Sequence, residues 1–172
     1  MQRHAWLIAV WVWGFLFVTG VAPAAVERAP ARVSIYDARF DAEKQIAKAL
    51  QTARRKNRHV LVQFGANWCS DCQAMHRLFG TDRAIASVLK ASYVQVLVDV
   101  DSKSGPMRNV ATVERFGSPI EGGIPALIVL GPDGSLLTPR GVRSLSDKDH
   151  RHPEKVLAFL QKWAPAPPPG KK

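Results

Sequence analysis

The chain has 172 residues, 47% of them hydrophobic and 22% charged, with a formal net charge of +10 and only two cysteines. That length and apolar fraction suffice for one folded core, and they exclude both a disulfide-framed miniprotein and a chain too polar to fold. The densest basic run, Arg54-Arg55-Lys56-Asn57-Arg58-His59, falls where a helix ends and complements its dipole, so it reads as a solvated helix end and not as a nucleic-acid patch.

Residues 1–24 read as an export signal: Arg3 supplies positive charge, Ala5 to Val18 the apolar centre, and Ala22-Pro23-Ala24 a small-residue cleavage site. The apolar centre is shorter than the roughly 20 residues of a comfortable membrane span, but the uncharged stretch from Ala5 to Val26 is not. Cleavage is the first reading and retention as a membrane anchor the second. Either delivers the rest of the chain beyond the cytoplasmic membrane, as a periplasmic or secreted protein, where disulfides form and need a dedicated reductant.

An N-terminal segment, 25–40, follows and contains a short strand at Ser34 to Asp37. The domain proper is expected over 41–163. Its first helix starts at Asp41 and presents Ile46, Ala49, Leu50 and Ala53 at helical spacing. His59 to Phe64 reads as a buried strand, and Gln73 to Phe79 as a helix that Gly80 closes. Asp82 to Lys90 forms another helix and Tyr93 to Val100 a second buried strand, giving a β-α-β unit around the cysteines. Pro106 opens a short helix through Phe116, and the turn-rich Gly117 to Pro125 leads into a third strand, Ala126 to Leu130. Pro132-Asp133-Gly134 marks a hairpin turn with Ser135 to Gly141 as the antiparallel return strand, and Pro153 to Trp163 closes the domain as a helix. The proline-rich tail, 164–172, has too little apolar surface to order itself.

The chemistry concentrates in Trp68-Cys69-Ser70-Asp71-Cys72, between a strand and a helix. Two cysteines one helical turn apart can close a disulfide. The first, at the helix N-terminus, meets unpaired N–H groups that favour its thiolate. Cys69 is therefore the expected nucleophile, and Cys72, facing inward, the residue that resolves a mixed disulfide.

With that motif, the segment Val60-Leu-Val-Gln-Phe-Gly-Ala-Asn-Trp-Cys-Ser-Asp-Cys72 and the later Gly123-Ile124-Pro125-Ala-Leu-Ile-Val-Leu130 make the chain resemble the thioredoxin family over roughly residues 41 to 163. Within it, the likeness is greatest to exported bacterial thioredoxin-like proteins with a Trp-Cys-x-Asp-Cys centre. The resemblance implies a single α/β domain with a mainly parallel central sheet, a C-terminal antiparallel hairpin and helices on both faces. It also implies a cis peptide at Ile124-Pro125 against the cysteines, with the Ile124 backbone pairing to an extended substrate; otherwise Pro125 simply starts a strand. Trp68 would cover one side of the disulfide, which is compatible with a plain packing role at the rim.

Three positions matter as departures from thioredoxin. The buried acid of the strand before the motif falls on Gln63, and its accompanying lysine on Leu97. Asp71 stands where thioredoxin has proline; it either tunes Cys69 by its charge or is an ordinary first-turn acid. The reaction implied is dithiol–disulfide exchange with protein thiols, needing an upstream electron donor or acceptor and no bound cofactor. Reduction is favoured by Ile124, and a monomer is expected. Isomerisation is the weaker enzymatic alternative, since it calls for a dimer or a second binding domain.

Outside enzymology, Cys69, Cys72, Met75 and His76 lie within two helical turns and could handle Cu(I), or the fold could serve as a binding module. Met75 fits the apolar face with Leu78 and Phe79 and His76 fits a solvent position, so no metal site is assigned. Asp99 and Asp101 read as a solvated strand end, and His150 and His152 as loop and helix-cap residues.

Overall fold

The computed structural model describes residues 34–139, 145 and 151–166, so residues 1–24, the last residues of the tail, His150 and the end of the expected return strand lie outside it. Among the described residues the elements are α1 (Ala42–Lys56), β1 (His59–Gly65), α2 (Ser70–Thr81), α3 (Arg83–Ser92), β2 (Tyr93–Asp99), α4 (Val110–Arg115), β3 (Ala126–Leu130) and α5 (Pro153–Lys162). No helix among them is long and apolar enough to cross a membrane.

The sheet has the order β2-β1-β3. β1 and β2 pair in parallel with Gly65 opposite Asp99, and β1 and β3 pair antiparallel with Phe64 opposite Ala126. The α/β fold is the expected one, with a sheet more evenly mixed than a mainly parallel arrangement. The reason is that the connection through α4 returns to the sheet end where β1 and β2 both stop, so β3 must run backwards. That same return brings Pro125 to the C-terminal end of β1, where the cysteines are.

Alternation along β1 divides the core. Val60, Val62 and Phe64 pack with Ile46, Ala49 and Ala53 of α1 and Val113 of α4 on one face. Leu61 packs with Met75 and Phe79 of α2, Ile85 and Leu89 of α3 and Val156, Phe159 and Leu160 of α5 on the other. Helices thus cover both faces. Complete burial of a Val, Leu, Ile, Phe or Met side chain among them contributes about 1.5–3 kcal/mol of transfer free energy.

Local chemistry sets the helix ends. Asp41 caps α1 by accepting from the Lys44 N–H at 3.1 Å, and Asn57 ends it in the left-handed region (φ 48°), with Arg54, Arg55 and Lys56 in the last turn. The basic run is therefore a helix end. Gly80 does not close α2; the helix runs on to Thr81 and stops at Asp82, whose carboxylate accepts from the Ile85 N–H at 3.0 Å and so starts α3. Asn109, at φ 54°, cannot continue a helix backwards, so α4 begins at Val110 and not at Pro106.

Two expected strands are otherwise. Ser34 to Asp37 is not a strand, because the N–H groups of Ile35 and Tyr36 both donate to Oδ1 of Asn67, at 2.9 and 3.0 Å, and not to a neighbouring chain. The return strand after Gly134 is, among the described residues, a single bridge of Leu136 to Leu130. Leu137 N–H still donates to the Val129 carbonyl, but the Val129 N–H is taken by the Thr138 hydroxyl at 3.3 Å, which interrupts the backbone ladder.

Candidate active site

β1 ends at Gly65, and the chain passes through Ala66-Asn67-Trp68 before α2 starts at Ser70. Cys69 is the N-cap of α2, and its Sγ accepts from the Cys72 N–H at 3.1 Å. Cys69 and Cys72 form a disulfide, with Cα atoms 5.2 Å apart. The pair is asymmetric: Cys69 keeps 6% exposure and Cys72 none.

The peptide Ile124-Pro125 is cis, and the Ile124 carbonyl oxygen lies 3.6 Å from Cys69 Sγ. Since a bridged sulfur carries no proton, this is a contact and not a hydrogen bond. Ile124 and Trp68 both pack around the disulfide. β3 begins immediately after Pro125, so the sheet itself presents this backbone to the cysteines.

Trp68 is fixed from the far side. Its indole Nε1 donates to Asp101 at 2.7 Å, and Lys103 Nζ stands 3.9 Å over its ring. Asp101 also accepts from the Lys103 N–H and from Arg108, which bridges Asp99 at 3.0 Å and Asp101 at 3.1 Å. Hydrogen bonds from the Ser104 hydroxyl, the Lys103 N–H, Trp68 and Arg108 hold the Asp101 carboxyl well below the ordinary carboxylate range. Asp99 and Asp101 are therefore not a solvated strand end: both are buried, because Arg108 folds back over them. These residues, with Ser34, Ala38, Asn67 and Ser104, line an open cleft of about 370 Å³ beside Trp68.

Beneath the disulfide, Gln63 is buried in β1, and its Nε2 donates to the Tyr36 hydroxyl at 2.6 Å and reaches the Cys72 carbonyl at 3.5 Å. Leu97, its register partner on β2, packs on the same cluster. Asp71 lies in the first turn of α2. Met75 is buried in the core while His76 is exposed, so the two do not converge on the sulfurs. Among the described residues no group of three His, Cys, Asp or Glu side chains is placed to hold a metal. His152 occupies the N-cap position of α5 and pairs with Glu154.

Tyr36 and Asn67 were not signalled by the sequence. Asn67 takes both N–H groups of Ile35 and Tyr36 and donates to the Tyr36 carbonyl at 2.7 Å, clipping residues 34–37 over the cysteines. Only a lone apolar Ile-Tyr pair ahead of α1 could have hinted at this.

The family model described as thioredoxin-like matches residues 41–132. The thiol:disulfide interchange protein DsbD of Pseudomonas fluorescens is 28% identical over 120 residues, which are 69% of this chain and 18% of DsbD. Nucleoredoxin of Mus musculus is 30% identical, over 64% of this chain and 30% of its own length. The chain thus spans less than a third of either curated relative. Among solved structures, the disulphide isomerase from Xylella fastidiosa Temecula1 superimposes with a TM-score of 0.66 at 28% identity, covering 77% of this chain and 98% of that one.

Proposed function

The chain belongs to the thioredoxin-like family of disulfide oxidoreductases, and we propose that it works in the cell envelope as a monomer, exchanging disulfides with protein thiols through Cys69 and Cys72 and favouring reduction of its substrates. The observation that carries this reading is the asymmetric pair at the start of α2, one sulfur at the helix N-cap beside Ile124 and the other sealed beneath it. Export rests on the signal-like residues 1–24, in which Arg3 precedes an uncharged stretch that contains the small-residue site Ala22-Pro23-Ala24.

In the reduced protein, the N–H groups and dipole at the start of α2 favour a thiolate on Cys69. Cys69 Sγ attacks a substrate disulfide, and the electron pair of the broken bond leaves on the substrate's other sulfur. Cys72, as thiolate, then attacks Cys69 Sγ, re-forms the Cys69–Cys72 bond and releases the second substrate sulfur as thiolate. A dithiol donor reduces the bridge again by the same exchange.

Ile124 offers its backbone to an extended substrate segment, Pro125 sets the angle of that backbone, and Trp68, braced by Asp101, forms the rim against which the segment lies. Gln63 and Asp71 tune the couple, the first as a neutral group beneath Cys72, the second as a charge in the first turn that opposes a further negative charge on Cys69. Ile124 before the proline supports reduction. For this couple about 30 mV corresponds to 1.4 kcal/mol, so small changes at these two positions move the balance.

The purified protein, supplied with excess dithiol, is expected to reduce an insulin-type disulfide faster than the dithiol alone, and Cys72→Ser to accumulate mixed disulfides through Cys69. No acceleration and no trapped adduct would overturn the reading. Isomerisation is a second reading, favoured by the likeness to the disulphide isomerase, nearly all of which the chain covers. Recovery of activity from a scrambled multi-disulfide protein, without net reduction, would put isomerisation first.

A further inference from the structure

Tyr36 is a buried titratable group at the disulfide to which the exchange scheme assigns no part. It is 1% exposed and shares a cluster with Cys69 and Cys72, although it comes from the segment ahead of α1. Gly65 shows how close its hydroxyl stands to the buried sulfur. A Cβ at Gly65 would collide with the Tyr36 hydroxyl and lie 2.9 Å from Cys72 Sγ, so the phenol and the sulfur flank the same point.

The hydrogen-bond pattern leaves the phenol's own proton available. Gln63 Nε2 donates to the hydroxyl oxygen, and Gln63 Oε1 is buried without a partner, so the phenolic proton is not engaged there. When the bridge opens, Cys72 Sγ takes up negative charge in a site with no exposure to water. A buried anion without a donor is strongly disfavoured.

Resting on the disulfide-exchange reading above, we propose that Tyr36 stabilises the Cys72 thiolate: its O–H, aimed by Gln63, donates to Cys72 Sγ each time the Cys69–Cys72 bond opens. In the reducing half-reaction the donor thiolate attacks Cys69 Sγ, a new S–S bond forms, the Cys69–Cys72 bond breaks, and its electron pair settles on Cys72 Sγ against the phenol. The proton stays on oxygen throughout. Burial holds the phenol well above its ordinary value, against the hydrogen bond from Gln63 and with the charge of Asp99 adding to the effect, so Tyr36 is a donor and not a base. A neutral pair, Gln63 and Tyr36, thus does by hydrogen bonding what a buried carboxylate would do by proton transfer.

Among the described residues, Cys69 shares the cluster of Tyr36 and Cys72, Asp99 acts on the phenol by its charge, and Arg108 is paired to Asp99. All three are retained when only the phenolic oxygen is removed. The test is Tyr36→Phe in the full chain, placed in a Cys69→Ser background so that the thiolate absorbance reports Cys72 alone. Loss of the donor is expected to move the Cys72 titration upward by about one to two pH units. With Cys69 restored, release of a substrate mixed disulfide at neutral pH is expected to slow by about tenfold or more.

An unmoved titration in a folded Tyr36→Phe protein would overturn the proposal. Should that variant not fold, the parent phenol serves instead: in Cys69→Ser the Tyr36 ring resonances must shift across the Cys72 titration, and flat resonances would equally overturn it. Absence of insulin reduction by the parent, with this coupling intact, would sink the functional reading and leave the role of Tyr36 standing.

Discussion

Asp101 joins the redox motif to the loop that follows β2, through Trp68, the Lys103 N–H and Arg108. Its folded-state carboxyl lies below the ordinary value, so the carboxylate's contribution to stability is complete above the unfolded value of about 4 and is lost as pH falls through the folded one. Asp101→Asn is therefore expected to lower Tm at neutral pH, with the gap from the parent narrowing below about pH 4; thermal unfolding at both pH values checks this. Gly65 makes a different demand, for space. Gly65→Ala places its Cβ on Tyr36 and Cys72 and is expected to cost about 1–3 kcal/mol in urea unfolding, the usual penalty of overpacking.

At the scale of elements, one side chain decides where two helices meet. Asp82 terminates α2 and caps α3, and Asp82→Ala is expected to cost about 0.5–2 kcal/mol by denaturant unfolding with the redox chemistry unchanged. The segment 34–37 is held by the three hydrogen bonds of Asn67. Asn67→Ala is expected to free it, so that in the reduced protein Cys72 is alkylated faster than in the parent; equal rates would mean that the segment does not guard Cys72. The helices α1, α3 and α5 were legible with ends correct to within two residues, because caps, periodicity and Pro153 are local signals. The strand expected at Ser34 to Asp37 was not, because an alternating Ile-Tyr pair looks the same whether its N–H groups go to a strand or to the side chain of Asn67.

For the whole molecule, the sheet separates two apolar layers, and Leu61 is the β1 side chain that anchors the layer against α2, α3 and α5. Leu61→Ala is expected to destabilise the protein by about 2–5 kcal/mol in equilibrium unfolding. The redox pair, its place between β1 and α2, and the Ile124-Pro125 turn were readable from the chain alone. A Cys-x-x-Cys spacing sets the reach of one helical turn, and a Gly-Ile-Pro before an apolar run marks a strand start. What the sequence by itself determined is thus the pairing and place of Cys69 and Cys72 and the class of fold. Tertiary structure alone decided their surroundings: that Asp99 and Asp101 are buried under Arg108, that Trp68 is braced by Asp101, and that Tyr36 reaches Gln63 beneath Cys72. The physical reason is separation. Cysteines three residues apart meet by helix geometry, whereas Tyr36 meets Gln63, 27 positions away, through the tertiary fold, with Gln63 set in β1 and the segment of Tyr36 held by Asn67.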